Sequence, residues 1–408
     1  MDGFRWDYID LPDVSLPGFQ QMFREGVRAK YMVSDFPTTS YPNYYSIMTG
    51  LHCESHGFVG NYMYDVGTGK EFLIGTNPDQ YLPIWWDDGE PLWVTAEKQN
   101  KSTYFYYWPG CEVTIRGVDP TYCNVYTRPT YSADLATALS EGLQLFKNDS
   151  ADIVVYLEAL DKNGHMYGAA SEKVKDSLRD IDLVIQTMLL NLSSMGLRDE
   201  VNVMIFSDHG MINRTGIANL TSFIDLDDLD EMLPEMNIIS IWPKQGKTEK
   251  VISDITAANV PGVTVYRKGN IPDRWLLKGH KRTPPVMVVT DPANYVLTPK
   301  SPNVYEYPTG PMVGLHGFDN VHRDMRAMFA ATGPAFNENK VIEPIKNIEL
   351  YQVMCLILGI NPAPHNGTWS NVKDMLKLDT SMATKRNTDV YVISLAFGFI
   401  FGIYRCIL

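Results

Sequence analysis

No stretch of the 408-residue sequence is rich enough in glycine, serine or proline to read as a linker, and no internal repeat is visible. These absences speak against a string of modules and for one domain, residues 1–379, followed by a tail, residues 380–408. Positive charge is also short. With 35 Lys and Arg against 48 Asp and Glu, the formal net charge is −13, and no basic stripe offsets it. A nucleic-acid partner is not expected, because phosphate backbones are held by clustered cations. Five cysteines are too few for a disulfide scaffold, although Cys111 and Cys123 would close a short loop. Only Met1 precedes Asp2, which leaves no leader to read. What is abundant is apolar surface: 45% of the residues are hydrophobic, enough for a sizeable core.

The most informative stretch is 35–61, DFPTTSYPNYYSIMTGLHCESHGFVGN. Pro37 and Pro42 fix the backbone around Ser40, so residues 38–41 should form a rigid turn. Residues 43–48 then read as a helix that stops at Gly50. Ser40 would stand at or just before that helix N-terminus, where backbone N–H groups favour an anion. A serine in this place also serves simply as an N-cap. A second set of residues bears on the choice. Asp161 and His165 lie in YLEALDKNGHMYG, Asp208 and His209 are adjacent in IFSDHGM, His316 lies in GLHGFDN, and Asp2 opens the chain. Two tetrahedral zinc sites take about six to eight nitrogen or oxygen ligands, and these side chains with the Ser40 oxygen nearly supply them. His52, His56, His280, His322 and His365 have no such companions and read as ordinary histidines.

In order, DGFR, FPTTSYPNYYSIMTG, the GN pair, YLEALDKNGHMYG, SDHGM and GLHGFDN resemble the motifs of the ectonucleotide pyrophosphatase/phosphodiesterase family, within the alkaline phosphatase superfamily. The resemblance covers nearly the whole chain. The serine in SYPNYY, the WPGCEV segment with PTYC beyond it and the apolar C-terminus most resemble its choline-specific glycerophosphodiesterase branch, whereas most relatives acting on nucleotides carry threonine at the Ser40 position. The resemblance implies an alkaline-phosphatase-like α/β fold, a mostly parallel sheet with helices on both faces. It implies two Zn2+ ions per chain, the first held by Asp2, Ser40, Asp208 and His209, the second by Asp161, His165 and His316. Ser40 would be the nucleophile, and the Asn61 amide would donate to a phosphoryl oxygen. The activity implied is hydrolysis of choline phosphodiesters, glycerophosphocholine or lysophosphatidylcholine, with release of phosphocholine. Nucleotide pyrophosphatase/phosphodiesterase activity is the alternative, and a catalytically silent surface-binding protein of the same fold is a third reading. In such relatives the aspartate at position 2 ends a hydrophobic strand behind a signal peptide. Neither is present, so Asp2 is expected to lack a strand to hold it.

Residues 153–157, 201–206 and 328–331 are short apolar runs that suggest strands of a parallel sheet. Between the first two, Val174, Leu178, Ile181, Ile185, Met188, Leu189 and Leu192 recur at helical spacing, with Ser171 as the cap. Residues 345–360 repeat the helical pattern and stop at Gly359. Asp161, Asp208 and His209 would then lie beyond the strand C-termini, where such sheets bind ligands. Residues 98–126 are dense in aromatics, including Tyr104, Phe105, Tyr106, Tyr107, Trp108, Tyr122 and Tyr126. These rings suit packing; they also suit a box for a quaternary ammonium, with Tyr156 as a candidate wall and Glu158 or Glu112 adding charge.

Sequons begin at Asn100, Asn148, Asn191, Asn213, Asn219 and Asn366, which favours an extracellular compartment. Cys53 and Cys355 sit in apolar runs as buried thiols. In the tail, residues 380–383 are small, Lys385 and Arg386 lie in a polar spacer, and residues 390–408 are apolar up to Arg405. That order fits a lipid-anchor signal, and a single membrane span is the alternative. Either would hold the protein at the outer face of the plasma membrane. A homodimer is possible, but no cysteine between Cys355 and Cys406 suggests a covalent one.

Overall fold

The computed structural model describes residues 1–146, 151–300, 312–377 and 391–396; side chains of 151–153 and 391–396 are not described. The sequon at Asn148 and the tail residues 380–390 and 397–408 lie outside the described residues.

Eight strands form one sheet, in the order Lys340–Ile342, Gly26–Ala29, Phe329–Thr332, Val201–Phe206, Tyr391–Ala396, Ala151–Tyr156, Ser102–Tyr106 and Tyr122–Asn124. Every neighbouring pair is parallel except the two made by Phe329–Thr332. The mostly parallel sheet is as expected, but the 328–331 run is displaced by one residue and runs the other way. Connectivity supplies the reason. The chain leaves the C-terminal end of Val201–Phe206 for a long excursion and returns to the same end, so its next strand must run antiparallel, pairing Phe329 with Phe206.

Two helix groups cover the two faces. Glu172–Ser194 packs with Pro17–Arg24 and Ser132–Leu145, and Glu349–Leu358 packs with Ser40–Thr49 and Leu92–Glu97. All seven apolar residues that marked the first helix are buried, and the Ser171 hydroxyl accepts the Val174 N–H at 3.3 Å. Each such side chain contributes about 1.5–3 kcal/mol on burial. Asp182 on the same helix accepts the N–H groups of Gly18 and Phe19 at 3.1 and 2.8 Å, placing a carboxylate at the N-terminus of Pro17–Arg24. The later helix starts at Glu349 rather than 345, because Ile345–Lys346 pairs as a strand with Met32–Val33. It ends at Gly359, whose φ of 69° is the left-handed stop expected of glycine.

The excursion builds an antiparallel lobe, ordered Leu229–Pro234, Ile238–Pro243, Val286–Thr290 and Val263–Arg267. Its strands are apolar on both faces for a physical reason. Ile239, Ile241, Val286 and Val288 pack under helix Thr248–Ala257, while Ile238, Met287 and Val289 join the main core. Nothing in the sequence reading had separated this lobe.

Residues 391–396, expected in a tail apart from the domain, stand in the middle of the main sheet. They pair in parallel with Ala151–Tyr156 and Val201–Phe206, whose facing edges otherwise present unpaired N–H and C=O groups. Among the described residues no helix is long and apolar enough to cross a membrane. The N-terminus is not frayed, contrary to expectation. The Met1 amine donates to Phe206 O at 2.5 Å and the Asp2 N–H to Leu157 O at 3.4 Å, so the two strand ends hold Asp2 fully buried.

Candidate active site

Ser40 is the first residue of helix Ser40–Thr49, with Thr39 extended before it. The expected turn over 38–41 is therefore shorter, and Pro42 lies inside the first helical turn, where its missing N–H leaves no bond unmade. Asn43 locks the approach: its Oδ1 accepts the Asp35 N–H at 2.7 Å, and its Nδ2 donates to Pro37 O and Thr39 O at 3.0 and 2.8 Å. The Ser40 hydroxyl is buried and lies 3.4 Å from His209 Nε2.

Asp208 and His209 follow the C-terminal end of Val201–Phe206, as the sequence suggested. Asp161 also lies beyond a strand C-terminus, that of Ala151–Tyr156, and shares one side of helix Ala159–Tyr167 with His165, four residues on, their nearest atoms 3.3 Å apart. His316 arrives on the loop behind Gly314, where a Cβ would come within 2.3 Å of Gly164 O; only glycine admits that approach. Two clusters result. Asp2 Oδ1 and Asp208 Oδ2 lie 3.3 and 3.2 Å from His209 Nε2. Asp161 lies 3.3 Å from His165 Nε2 and 3.6 Å from His316 Nε2.

The donors are arranged for cations. Each histidine places Nδ1 on a backbone carbonyl: His165 on Gly314 at 2.8 Å, His209 on Gly210 at 2.9 Å, His316 on Thr38 at 3.0 Å. Nδ1 is then the protonated nitrogen, and each Nε2 lone pair faces the site. His165 Nε2 and His316 Nε2 are 3.1 Å apart, two lone pairs facing each other unless a cation lies between. Burial lowers the pKa of all three rings, that of His165 to about 3, so they are neutral. The carboxylates are polarised in the same way. Tyr44 donates to Asp2 Oδ2 at 3.1 Å, and Gly3 and His209 N–H groups hold Asp208 Oδ1 at 3.2 and 2.9 Å. Asp2 Oδ1, Asp208 Oδ2 and both Asp161 oxygens have no hydrogen-bond partner among the described residues although buried. Burial, then mutual repulsion, pushes Asp2 and Asp161 well above the usual carboxylate range. Divalent metal is the counter-charge that answers all of these observations, and the N/O donor set suits zinc.

Asn61 faces the same helix terminus. Its Oδ1 accepts the Tyr41 N–H at 2.9 Å, which leaves the Nδ2 hydrogens for another acceptor. Tyr156 ends strand Ala151–Tyr156 and is fully buried, edge-on to Tyr126 at 5.4 Å and Tyr44 at 6.4 Å. Trp108 packs on Tyr44 at 5.4 Å. The other tyrosines of the 98–126 run lie apart, Tyr104 and Tyr106 against Tyr122 at the sheet edge, with Phe105 under Trp93. Glu158 joins this run of rings through Tyr126, whose OH donates to Oε2 at 2.5 Å, and burial pushes its pKa up to about 7. Glu112 is held by its own loop, accepting the Gly110 N–H at 2.9 Å. Tyr44 had not been singled out. The signal was available, since it follows Ser40 by four residues and so shares its helix face.

Cys111 and Cys123 form a disulfide, and Cys53 and Cys355 are buried thiols. His52 binds the Asp35 carboxylate at 2.9 Å and His56 meets Ser46 Oγ at 2.9 Å, structural partners beneath the Ser40 helix.

The family model described as type I phosphodiesterase / nucleotide pyrophosphatase matches residues 1–319. The human ectonucleotide pyrophosphatase/phosphodiesterase family member 5 is 32% identical over 377 residues, covering 92% of this chain and 76% of that protein. A bis(5'-adenosyl)-triphosphatase of Xenopus laevis is 34% identical over 379 residues, covering 92% and 80%. Among solved structures, an inactive variant of the murine family member 5 in complex with AMP superposes with a TM-score of 0.84 at 31% identity, covering 92% of this chain and 98% of that one. The chain is a phosphodiesterase of alkaline-phosphatase-like α/β fold and belongs to the type I phosphodiesterase / nucleotide pyrophosphatase family.

Proposed function

We propose that this phosphodiesterase hydrolyses choline phosphodiesters, glycerophosphocholine or lysophosphatidylcholine, and releases phosphocholine. One observation carries the reading: an ionisable carboxylate, Glu158, three residues from Asp161, accepts from Tyr126 at the end of a run of ring contacts through Tyr156 and Tyr44 to Trp108. A trimethylammonium has no N–H to satisfy, so ring faces and a carboxylate suit it. Tyr126 and Glu158 offer the contacts; Tyr156, without exposed surface, backs them.

In this reading Asp2, Asp208, His209 and the Ser40 oxygen hold one zinc, and Asp161, His165 and His316 hold a second. The bound metals would supply Lewis acidity, lowering the proton affinity of the Ser40 hydroxyl and stabilising the leaving oxygen. Ser40 Oγ forms a bond to phosphorus as the bond to the glycerol oxygen breaks, and water then cleaves the seryl ester to give phosphocholine. The helix N-terminus behind Ser40 and the Asn61 Nδ2 favour the charge on the non-bridging oxygens. The cis-acting network through Asn43 keeps Ser40 in place throughout.

Nucleotide diesters are the second reading, favoured by the AMP complex of the murine relative. Turnover of glycerophosphocholine, lysophosphatidylcholine and diadenosine triphosphate by zinc-loaded protein decides between them. A kcat/KM at least about tenfold higher for the choline esters, roughly 1.4 kcal/mol, is expected; preference for the nucleotide sinks the choline assignment. Absence of turnover on all three would leave a binding protein. The sequons and the Cys111–Cys123 disulfide support an extracellular site of action.

A further inference from the structure

The antiparallel lobe touches the catalytic rim through a three-residue turn, Glu235, Met236 and Asn237, between Leu229–Pro234 and Ile238–Pro243. Met236 and Asn237 reach the loop that carries His316, and Glu235 reaches the 60–62 backbone. Met236 packs with Leu315 and Phe318, on either side of His316. Asn237 lies against Gly317, where a Cβ would come within 2.5 Å of its Oδ1. Glu235 Oε1 accepts the N–H groups of both Asn61 and Tyr62, at 2.8 and 3.2 Å. A Cβ on Gly60 would come within 2.6 Å of the same oxygen, so the 60–62 backbone is moulded onto the carboxyl. Glu235 is 5% exposed, and its Oε2 has no hydrogen-bond partner among the described residues.

A buried acid used only to cap two backbone donors is an expensive device, since burial pushes its pKa up to about 7 even though the two N–H groups it accepts pull it down. Its geometry shows what it achieves. Asn61 is gripped at both ends, its N–H by Glu235 and its Oδ1 by the Tyr41 N–H, so the direction of its remaining amide hydrogens is fixed. We propose that Glu235 is a positioning residue for phosphodiester hydrolysis, acting from the lobe through the backbone of Asn61 to aim the Asn61 amide at the phosphoryl group. This rests on the reading of Asn61 as a phosphoryl donor.

The test is a double-mutant cycle on zinc-loaded full chain with p-nitrophenyl phosphocholine, metal content being measured in every variant. Glu235→Ala should lower kcat by about 10–30-fold with KM and zinc little changed, because the donor is misaimed rather than lost. Glu235→Gln keeps the accepting oxygen and should stay within about threefold of wild type. In an Asn61→Ala background, Glu235→Ala should cost less than about threefold further. Glu235→Met fills the same volume without an acceptor and should repeat the alanine result if that variant folds poorly. Wild-type kcat in both Glu235→Ala and Glu235→Met, or an undiminished loss on the Asn61→Ala background, overturns the positioning role. Wild-type activity of Asn61→Ala alone is a separate failure: it removes the donor reading on which the proposal stands.

Discussion

In the proposed mechanism serine, histidine and aspartate divide their work at Ser40, and single substitutions should separate the shares. Ser40→Ala removes the attacking oxygen but leaves six Asp and His donors, so turnover should vanish while zinc stays bound. Retained activity within about tenfold, roughly 1.4 kcal/mol of barrier, would count against the nucleophile. Asp208→Asn or His316→Ala should lose metal and activity together; normal zinc content in either contradicts the ligand sets. Glu158 gives a pH dependence. Burial raises its pKa to about 7, so it is ionised only above that value. KM for choline esters should fall as pH rises across about 6–8, and Glu158→Gln should flatten the profile. The stability sign is the opposite. A carboxyl with a raised folded pKa adds stability when protonated, and this is lost between its unfolded value and about 7 as pH rises. Glu158→Gln should therefore narrow the drop in melting temperature between pH 5 and 8; an unchanged drop removes Glu158 as its source. The six Asp and His side chains that gather into two clusters could be grouped beforehand by residue type, because Asp161, His165, Asp208, His209 and His316 stand behind apolar runs or between glycines. Glu235 could not be, since its meaning lies in a contact 174 residues away in sequence.

Helices differed in legibility for identifiable reasons. Glu172–Ser194 carries a regular apolar stripe and a serine cap, and both survived intact. Ala159–Tyr167 contains Asn163 and Gly164, poor helix formers, so the helix that carries Asp161 was not read. Docking against Glu172–Ser194 overrides the weak propensity. Asp182 is the element-scale counterpart of Glu235. Asp182→Ala strips two N–H groups of Pro17–Arg24 of their acceptor in a buried place and should cost about 1–3 kcal/mol by chemical denaturation. Leaving activity per folded molecule unchanged is the companion expectation, and a cost below about 0.5 kcal/mol would mean that water replaces it.

At the scale of the molecule, the parallel sheet could be anticipated from two apolar runs with a helix between them. The reversed Phe329–Thr332 strand could not, because its direction follows from where the lobe returns the chain. Residues 391–396 have a further consequence. Six residues that complete a sheet cannot at the same time lie in a lipid bilayer or leave with a cleaved anchor signal, so any anchoring through this segment would compete with assembly of the sheet. Membrane attachment through it would empty the groove between Ala151–Tyr156 and Val201–Phe206 unless another extended segment took it over. Hydrogen exchange of the amides facing that groove, on membrane-bound and detergent-free protein, reads out which fate is realised: equal protection in both requires a substitute strand, while loss of protection on membranes means that the catalytic sheet itself opens when the tail is taken away.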